Sequence, residues 1–392
     1  MSNTDPLAPW EEYVDLLKPG AGLLRRTWRP DDPEYRADVY RQLAMNLSYA
    51  YFQYFQSDPL HPEFMPLWNS VYLLQPNPDD VYYYAPIDGR RRYRIAGDRG
   101  GTFLVHFQFG AGMMGMVYPP GRQINYLDAR ELDVGADGSF EFIASAECPP
   151  GYSGTWHPLD PACDFMMVRL RSYDWGGEAD TRLAIECLDA PPLKPRMTAG
   201  DIDARLRSMF TLSERWSRLW FDYQVELLDR LGTNTFELNR FEGMGIQNQD
   251  YWTAVFDLQE GEALLLESDL PEQRRYWNVQ LNDPYFNAVE FVYRQTSLNG
   301  HTASVDPDGR FRAVIAIEDP GVANWLDPGG FRQGTVFGRW MECDAAPVPT
   351  LTRISLASLE TALPDGMARV TPEQRAAALR ARRMGAQLRR RW

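Results

Sequence analysis

Histidine and cysteine are scarce in this 392-residue chain, with four of each, and that scarcity narrows its chemistry. Cys148, Cys163, Cys187 and Cys343 show no CxxC spacing, so neither a zinc ribbon nor a dithiol redox centre is written here. Reduced structural thiols of a cytoplasmic protein are the expectation. His61, His106, His157 and His301 are scattered without ligand spacing, and no metal is expected. No window approaches eighteen apolar residues, which speaks against a membrane span. Met1-Ser2-Asn3-Thr4-Asp5-Pro6 has neither the basic nor the apolar region of a secretory leader. HExxH, GxSxG, the Walker loop, SxxK and a dinucleotide fingerprint after a strand are all missing, so no cofactor is expected.

Positive charge is also in deficit. A net charge of −14 leaves the body without the basic face that nucleic-acid binding requires. The exception is the tail, where seven arginines and no acid lie between Arg375 and Arg391. They follow Thr371-Pro372-Glu373-Gln374, a helix start with an N-cap, proline at the first helical position and a capping-box glutamine. An arm for nucleic acid or acidic lipid is one reading. The plainer reading is a helix docked on the acidic body or on a neighbouring subunit of a homo-oligomer.

What is present is repetition. Asn77 and Asp79 return as Asn248 and Asp250, Asp98 as Asp269, and Asp137-Gly138-x-Phe140 as Asp308-Gly309-x-Phe311, all 171 positions later. Trp156 returns as Trp325 and Arg169 as Arg339 after 169 and 170. Phe103, Val105 and Phe107 alternate along one strand face, as do Trp277, Val279 and Leu281. Leu43, Leu47, Ala50 and Tyr54 make a helical stripe matched by Trp216, Trp220, Tyr223 and Leu227. An ordered series of this kind marks a duplicated unit.

Between these landmarks short alternating runs are punctuated by Asp-Gly, Gly-Gly and Pro-Gly turns, the pattern of an antiparallel sandwich or barrel. The expected architecture is therefore mostly β (α+β): two tandem antiparallel β-sandwich or barrel-like units, each preceded by an amphipathic helix, plus a C-terminal helix. Residues 1–33 read as an N-terminal arm, 34–192 as the first helix-plus-β unit, 193–346 as the second, and 347–392 as a C-terminal segment with the arginine-rich helix. The second helix, from about Asp201 to Leu231, reads as breakable near Thr211.

Candidate chemistry lies where the two copies differ, since one asymmetric site requires broken symmetry. Opposite Phe103, Val105 and Phe107 the strand carries Leu104, His106 and Gln108, and the matching face of the second copy carries Asn278, Gln280 and Asn282. That amide row meets water or lines a cavity. Within a cavity, His106 is the residue of the row able to move a proton near neutral pH, which makes it the first candidate base, with Asp79 and His157 beside it as catalytic candidates. Tyr82 and Tyr84, with Trp277, Asn278, Gln280, Asn282, Trp325 and Arg339, are candidate substrate-binding residues. Tyrosine supplies apolar area with one hydroxyl, which suits a partly oxygenated organic molecule. The commoner uses of these types, core packing and a solvated face, weigh against each of them. A guanidinium stacked on an indole, Arg169 with Trp156 and Arg339 with Trp325, is a plausible structural motif of each unit.

The run Asp319-Pro320-Gly321-Val322-Ala323-Asn324-Trp325-Leu326-Asp327, then Gly330 and Arg339-Trp340, resembles the signature of the family called domain of unknown function 1214. Trp277-Asn278, Asn282, Ser297 and Asp308-Gly309 fit the same pattern. Asn77-Pro78-Asp79, Tyr82, Ala85 and Tyr93-Arg94-Ile95-x-Gly97 are similar to the related domain of unknown function 1254. The resemblance implies a mostly β, two-lobed protein and no established reaction. The expected function is a cofactor-independent enzyme using acid/base chemistry on a small, partly apolar oxygenated metabolite, as a hydrolase, lyase or isomerase. The alternative is a non-catalytic binder of a small molecule or saccharide.

Overall fold

The computed structural model describes residues 6–26, 29, 31–68, 72–117, 120–240 and 245–389, so the reading of Met1 to Asp5 as leaderless and the last arginines of the tail lie outside the described residues. A short helix α1 (Trp10–Asp15) precedes α2 (Pro33–Tyr51), which Asp32 caps by accepting from the Glu34 backbone N–H at 2.9 Å. The first β unit follows: β1 (Met65–Pro66), β2 (Asp80–Pro86), β3 (Tyr93–Asp98), β4 (Leu104–Ala111), β5 (Arg122–Asp128), β6 (Ser139–Ser145), β7 (Thr155–Pro158), β8 (Phe165–Arg171) and β9 (Arg182–Cys187). Helix α3 (Ala199–Leu231) leads to the second: β10 (Glu237–Asn239), β11 (Gln249–Asp257), β12 (Glu262–Ser268), β13 (Arg274–Asn282), β14 (Ser297–Asn299), β15 (Phe311–Ile315), β16 (Trp325–Leu326), β17 (Gln333–Cys343) and β18 (Thr350–Ser355). A short α4 (Leu359–Ala362) and α5 (Pro372–Leu388) close the chain.

The two units share one topology. A five-stranded sheet in the order β1-β2-β8-β4-β5 is answered by β10-β11-β17-β13-β14, and a four-stranded sheet β7-β6-β3-β9 by β16-β15-β12-β18. Even the single parallel pairing recurs, β6 with β7 and β15 with β16. Each unit is a sandwich whose two sheets enclose their own core, built on Val105, Phe107, Phe109, Phe142 and Val168 in the first and Trp252, Trp277, Val279, Phe311 and Val336 in the second. Asp137-Gly138 and Asp308-Gly309 occupy equivalent hairpins, with matched bridges Val134 to Phe140 and Val305 to Phe311 and glycine φ values of 85° and 82°. Only glycine adopts that backbone without strain.

Three expectations need correction. The segment after residue 346 is not wholly separate, because β18 pairs with β12 and completes the second sandwich as β9 completes the first. Helices α2 and α3 each precede a unit, as expected, and they also pack on each other. Asn46 donates to the Ser213 carbonyl and the Ser217 hydroxyl, both at 2.7 Å, and Tyr49 lies against Trp216 at 5.4 Å between ring centroids. Helix α3 is unbroken at Thr211, whose hydroxyl donates back to the Arg207 carbonyl at 2.8 Å and so stays within the helix. Lastly, Asn77 and Asn248 do not share an environment. The ladders match Tyr82–Arg169 with Tyr251–Arg339, an offset of 169 positions at β2 and β11, so Asn248 falls level with Asp79 and not with Asn77. Asn77 is fully buried, whereas Asn248 is exposed with φ 58°.

The outer faces of the two five-stranded sheets turn toward each other. Leu104, Tyr276, Ile246 and Met341 pack between them, and α3 covers the side of the gap through Trp216 and Trp220, packed with Phe286 of the β13–β14 connection. Many of the buried polar side chains lie along the unit-to-unit seam, among them Asn77, Asp80, Arg171, Asn278 and Gln280.

Candidate functional site

Side chains alternate along a strand, so the residues of β2, β4 and β8 that do not enter the first core must enter the seam. They are Asp80, Tyr82, Leu104, His106, Gln108, Arg169 and Arg171, and every one of them is buried. The second sheet contributes Tyr251, Tyr276, Asn278, Gln280, Asn282, Phe337 and Arg339 by the same rule. Between them is a cavity of about 210 Å³. Arg169, Arg171 and Tyr82 line it from the first sandwich, Gln249, Tyr251, Phe337 and Arg339 from the second, and Trp220 and Tyr223 from α3. Trp68, Leu74, Gln75, Met114, Gly245, Ile246 and Phe286 also line it.

The same local cluster is built twice. Arg169 sits opposite Tyr82 in one neighbouring strand and His106 in the other, and donates to Gln108 two residues along. Arg339 sits opposite Tyr251 and Asn278, and donates to Gln280 two residues along at 2.7 Å. Each guanidinium lies over its tyrosine ring, at 5.8 Å for Arg169 and 5.9 Å for Arg339, the latter also over Phe337 at 4.9 Å. Neither forms an ion pair among the described residues, although their exposures are only 6% and 4%. Arg171 differs: it pairs with Asp80 through Oδ1 at 2.6 Å and Oδ2 at 2.8 Å, reaches Gln249 of the other unit at 2.8 Å and covers the Tyr276 ring at 4.2 Å. Burial alone would raise Asp80, but Arg171 outweighs it and holds the carboxyl below its usual range.

Backbone strain concentrates here as well. Eight non-glycine residues among those described have positive φ, and four of them, Trp68, Leu74, Gln75 and Phe286, line this cavity. Such conformations cost about 1–3 kcal/mol each and persist where surrounding structure enforces them, which is common at ligand clamps.

The amide row neither meets solvent nor forms the cavity wall. Asn278 donates to Asn77 Oδ1 at 2.8 Å, Gln280 to Asn282 Oδ1 at 2.8 Å and to the Pro76 carbonyl at 3.3 Å, and Asn282 to Gln75 Oε1 at 3.1 Å. It clamps the 75–77 segment of the first unit onto the second and, through Gln280, fixes Arg339.

Of the sequence-derived candidates, Tyr82 and Arg339 come together in the cavity, with Asn278, Gln280 and Asn282 behind them. The three catalytic candidates do not assemble. His106 is stacked on Tyr126 at 4.7 Å and stays out of the cavity wall; burial, then the Arg169 charge, lowers its pKa to about 3, so the ring is neutral near neutral pH. His157 is stacked on Phe109 at 4.8 Å in the other sheet, and burial lowers it to about 4. Asp79 lines a different cavity of about 400 Å³ beneath α5, where Tyr276 Oη, Trp175 Nε1 and Asn299 Nδ2 donate to it at 2.6, 2.8 and 2.9 Å. Burial outweighs those donors and raises it. Tyr84 packs under the helices, stacked on Phe165 at 6.4 Å. Trp277 belongs to the second core, edge-on to Phe311 at 4.8 Å, and Trp325 donates to the Ala316 carbonyl at 2.9 Å on the far face of its sandwich. The expected Trp156–Arg169 and Trp325–Arg339 stacks are therefore absent: tryptophan and arginine lie in different sheets of each unit. Arg375 of α5 covers Trp325 instead, at 5.4 Å.

The residues sequence reasoning missed are Arg169, Arg171 and Tyr251 and the helix aromatics Trp220 and Tyr223. Arg169 and Arg339 were visible as a repeated pair, but their meaning depends on which sheet faces which.

With this geometry in view, the comparisons fall into place. Residues 248–335, the greater part of the second sandwich, match the family model described as "Protein of unknown function (DUF1214)". The match does not extend to the first unit. No curated protein matches the chain. Among solved structures, an uncharacterized protein from Burkholderia cenocepacia is similar at 28% identity and a TM-score of 0.83, over 89% of this chain and 97% of that one. The VPA0106 protein from Vibrio parahaemolyticus is 11% identical over 87% of this chain and 100% of that one, with a TM-score of 0.45. The first of these carries the two-unit, mostly β architecture as a whole. No helix among the described residues is long and apolar enough to cross a membrane.

Proposed function

We propose that this chain binds a small, partly apolar organic anion in the cavity between its two sandwiches. One observation carries the reading: Arg169 and Arg339, from corresponding strands of the two units, are buried side chains that reach one cavity and form no ion pair among the described residues. A buried charge without a counter-charge is costly, and an anionic ligand supplies what is missing. The aromatic wall of Tyr82, Trp220, Tyr223, Tyr251, Phe286 and Phe337 suits the apolar body of such a ligand.

Binding has more support than acid/base turnover, the first expectation from sequence. The ionisable groups of the described lining are arginines and tyrosines. Burial raises Tyr82 and brings Tyr223 up to about 12, so neither is a base near neutral pH. A cytoplasmic, cofactor-free binder that avoids nucleic acid accords with the net charge of −14 and the four free thiols. Self-association through the outer face of α5, where Met384 and Leu388 are exposed, belongs to the same proposal.

Calorimetric titration of the full chain with benzoate and with its neutral isostere benzamide tests the reading. Benzoate should bind, benzamide should not, and Arg339→Met should abolish the difference. Equal binding of both by the unaltered protein, or anion binding indifferent to Arg339→Met, removes the proposal.

A further inference from the structure

The charge balance of the cavity says more about its ligand than that it is an anion. Arg169, Arg171 and Arg339 all line it. Asp80 engages Arg171 through both oxygens and also lies within electrostatic reach of Arg339 and Arg169, so one carboxylate faces three guanidinium groups. Arg169 and Arg339 meet only amide oxygens among the described residues: Gln108 for the first, and Gln280 at 2.7 Å, Asn278 at 3.3 Å and the Gln75 carbonyl at 3.5 Å for the second. An amide oxygen orients a guanidinium without neutralising it, and each guanidinium has five N–H donors in a fork that fits a carboxylate. Two positive charges therefore remain, on opposite sheets, each anchored separately.

We infer, resting on the binding proposal, that the ligand is a dianion with two separate carboxylates, one for each arginine, on a compact apolar body. A single acid group would leave one buried guanidinium uncompensated. Arg169 and Arg339 are held by separate amides on different sandwiches, so each can present its own fork to its own acid group. Size sets a further limit. A cavity of about 150 Å³ accepts benzene, so about 210 Å³ accommodates one ring or a short aliphatic chain with its two acid substituents. The stacked Trp220 and Phe286 rings, 5.2 Å apart and 11° from parallel, give the body a flat apolar wall.

The test is a ligand series on the full chain by calorimetry: benzoate, the three benzenedicarboxylates, succinate, phenyl phosphate and benzamide. At least one dicarboxylate should bind about tenfold or more tighter than benzoate. Arg169→Met and Arg339→Met should each weaken that dicarboxylate by at least about thirtyfold, the loss expected when one partner of a buried charge pair is removed. Benzoate equalling every dicarboxylate, or phenyl phosphate binding most tightly, overturns the two-carboxylate inference and leaves anion binding standing. If no anion binds the unaltered chain, the binding proposal itself fails. The wild-type series decides between these outcomes even if a variant folds poorly.

Discussion

Arg169 and Arg339 stand in corresponding strands of the two sandwiches, each directly across a ladder from a tyrosine, Tyr82 for the first and Tyr251 for the second. Their burial without ion pairs among the described residues predicts that each charge lowers the stability of the ligand-free protein. Replacing either by methionine should leave the ligand-free melting temperature unchanged or raise it, because a buried unpaired charge is exchanged for an apolar chain of similar length. A calorimetric scan reads this directly, and a drop of several degrees would show that the guanidinium is structural.

Asp80 should behave oppositely. Asp80→Asn leaves Arg171 buried without its partner, and a loss of about 3–5 kcal/mol is expected in denaturant unfolding. The pH dependence has a definite sign. The folded carboxyl lies below its unfolded value of about 3.9, so its contribution is present above that pH and is lost as pH falls through the folded value. The wild-type acid limb should therefore be steeper than that of Asp80→Asn.

His106→Ala is expected to lower stability by roughly 1–3 kcal/mol, since it removes a buried ring stacked on Tyr126. The imidazole stays neutral in the fold down to about pH 3, while the unfolded chain takes up its proton near pH 6.5. Stability is consequently lost as pH falls between those values. Comparing melting at pH 7 and pH 5, His106→Gln should show less of that loss than wild type.

Deleting residues 372–392 should lower the melting temperature. Arg375, Arg382 and Arg389 repeat every seven residues along one face of α5 and dock on this chain. Arg375 donates to Gln295 at 2.7 Å and to Asp319 at 2.9 Å, Arg382 to the Phe291 carbonyl at 2.7 Å, and Arg389 to the Pro78 and Asp79 carbonyls at 2.8 and 2.5 Å. An unchanged melt would mean that these contacts contribute nothing in solution.

The fold was largely legible because its signals are local. Alternation along Phe103 to Phe107 and along Trp277 to Leu281, and the repeated Asp-Gly turns, state strand period and hairpin position directly. Strand β18 was hidden behind Pro347 and Pro349, which read as the end of a sheet although pairing resumes at once. The site was much less legible. Period two already placed Trp277 on the core face with Val279 and Leu281, yet its aromatic character drew it into the binding set. His106 looked like a base because sequence gives a side chain's usual pKa, whereas burial beside Arg169 sets its actual one. Residues that meet only across the seam, such as Arg171 and Gln249, carry no spacing signal at all.

The grip of Arg389 on the carbonyls of Pro78 and Asp79 spans more than three hundred residues of chain. During synthesis the first sandwich can mature on the ribosome, but this clasp waits until α5 emerges. The Asp79 chamber is thus sealed last, and nascent chains halted before α5 should expose it to proteases that spare the finished protein.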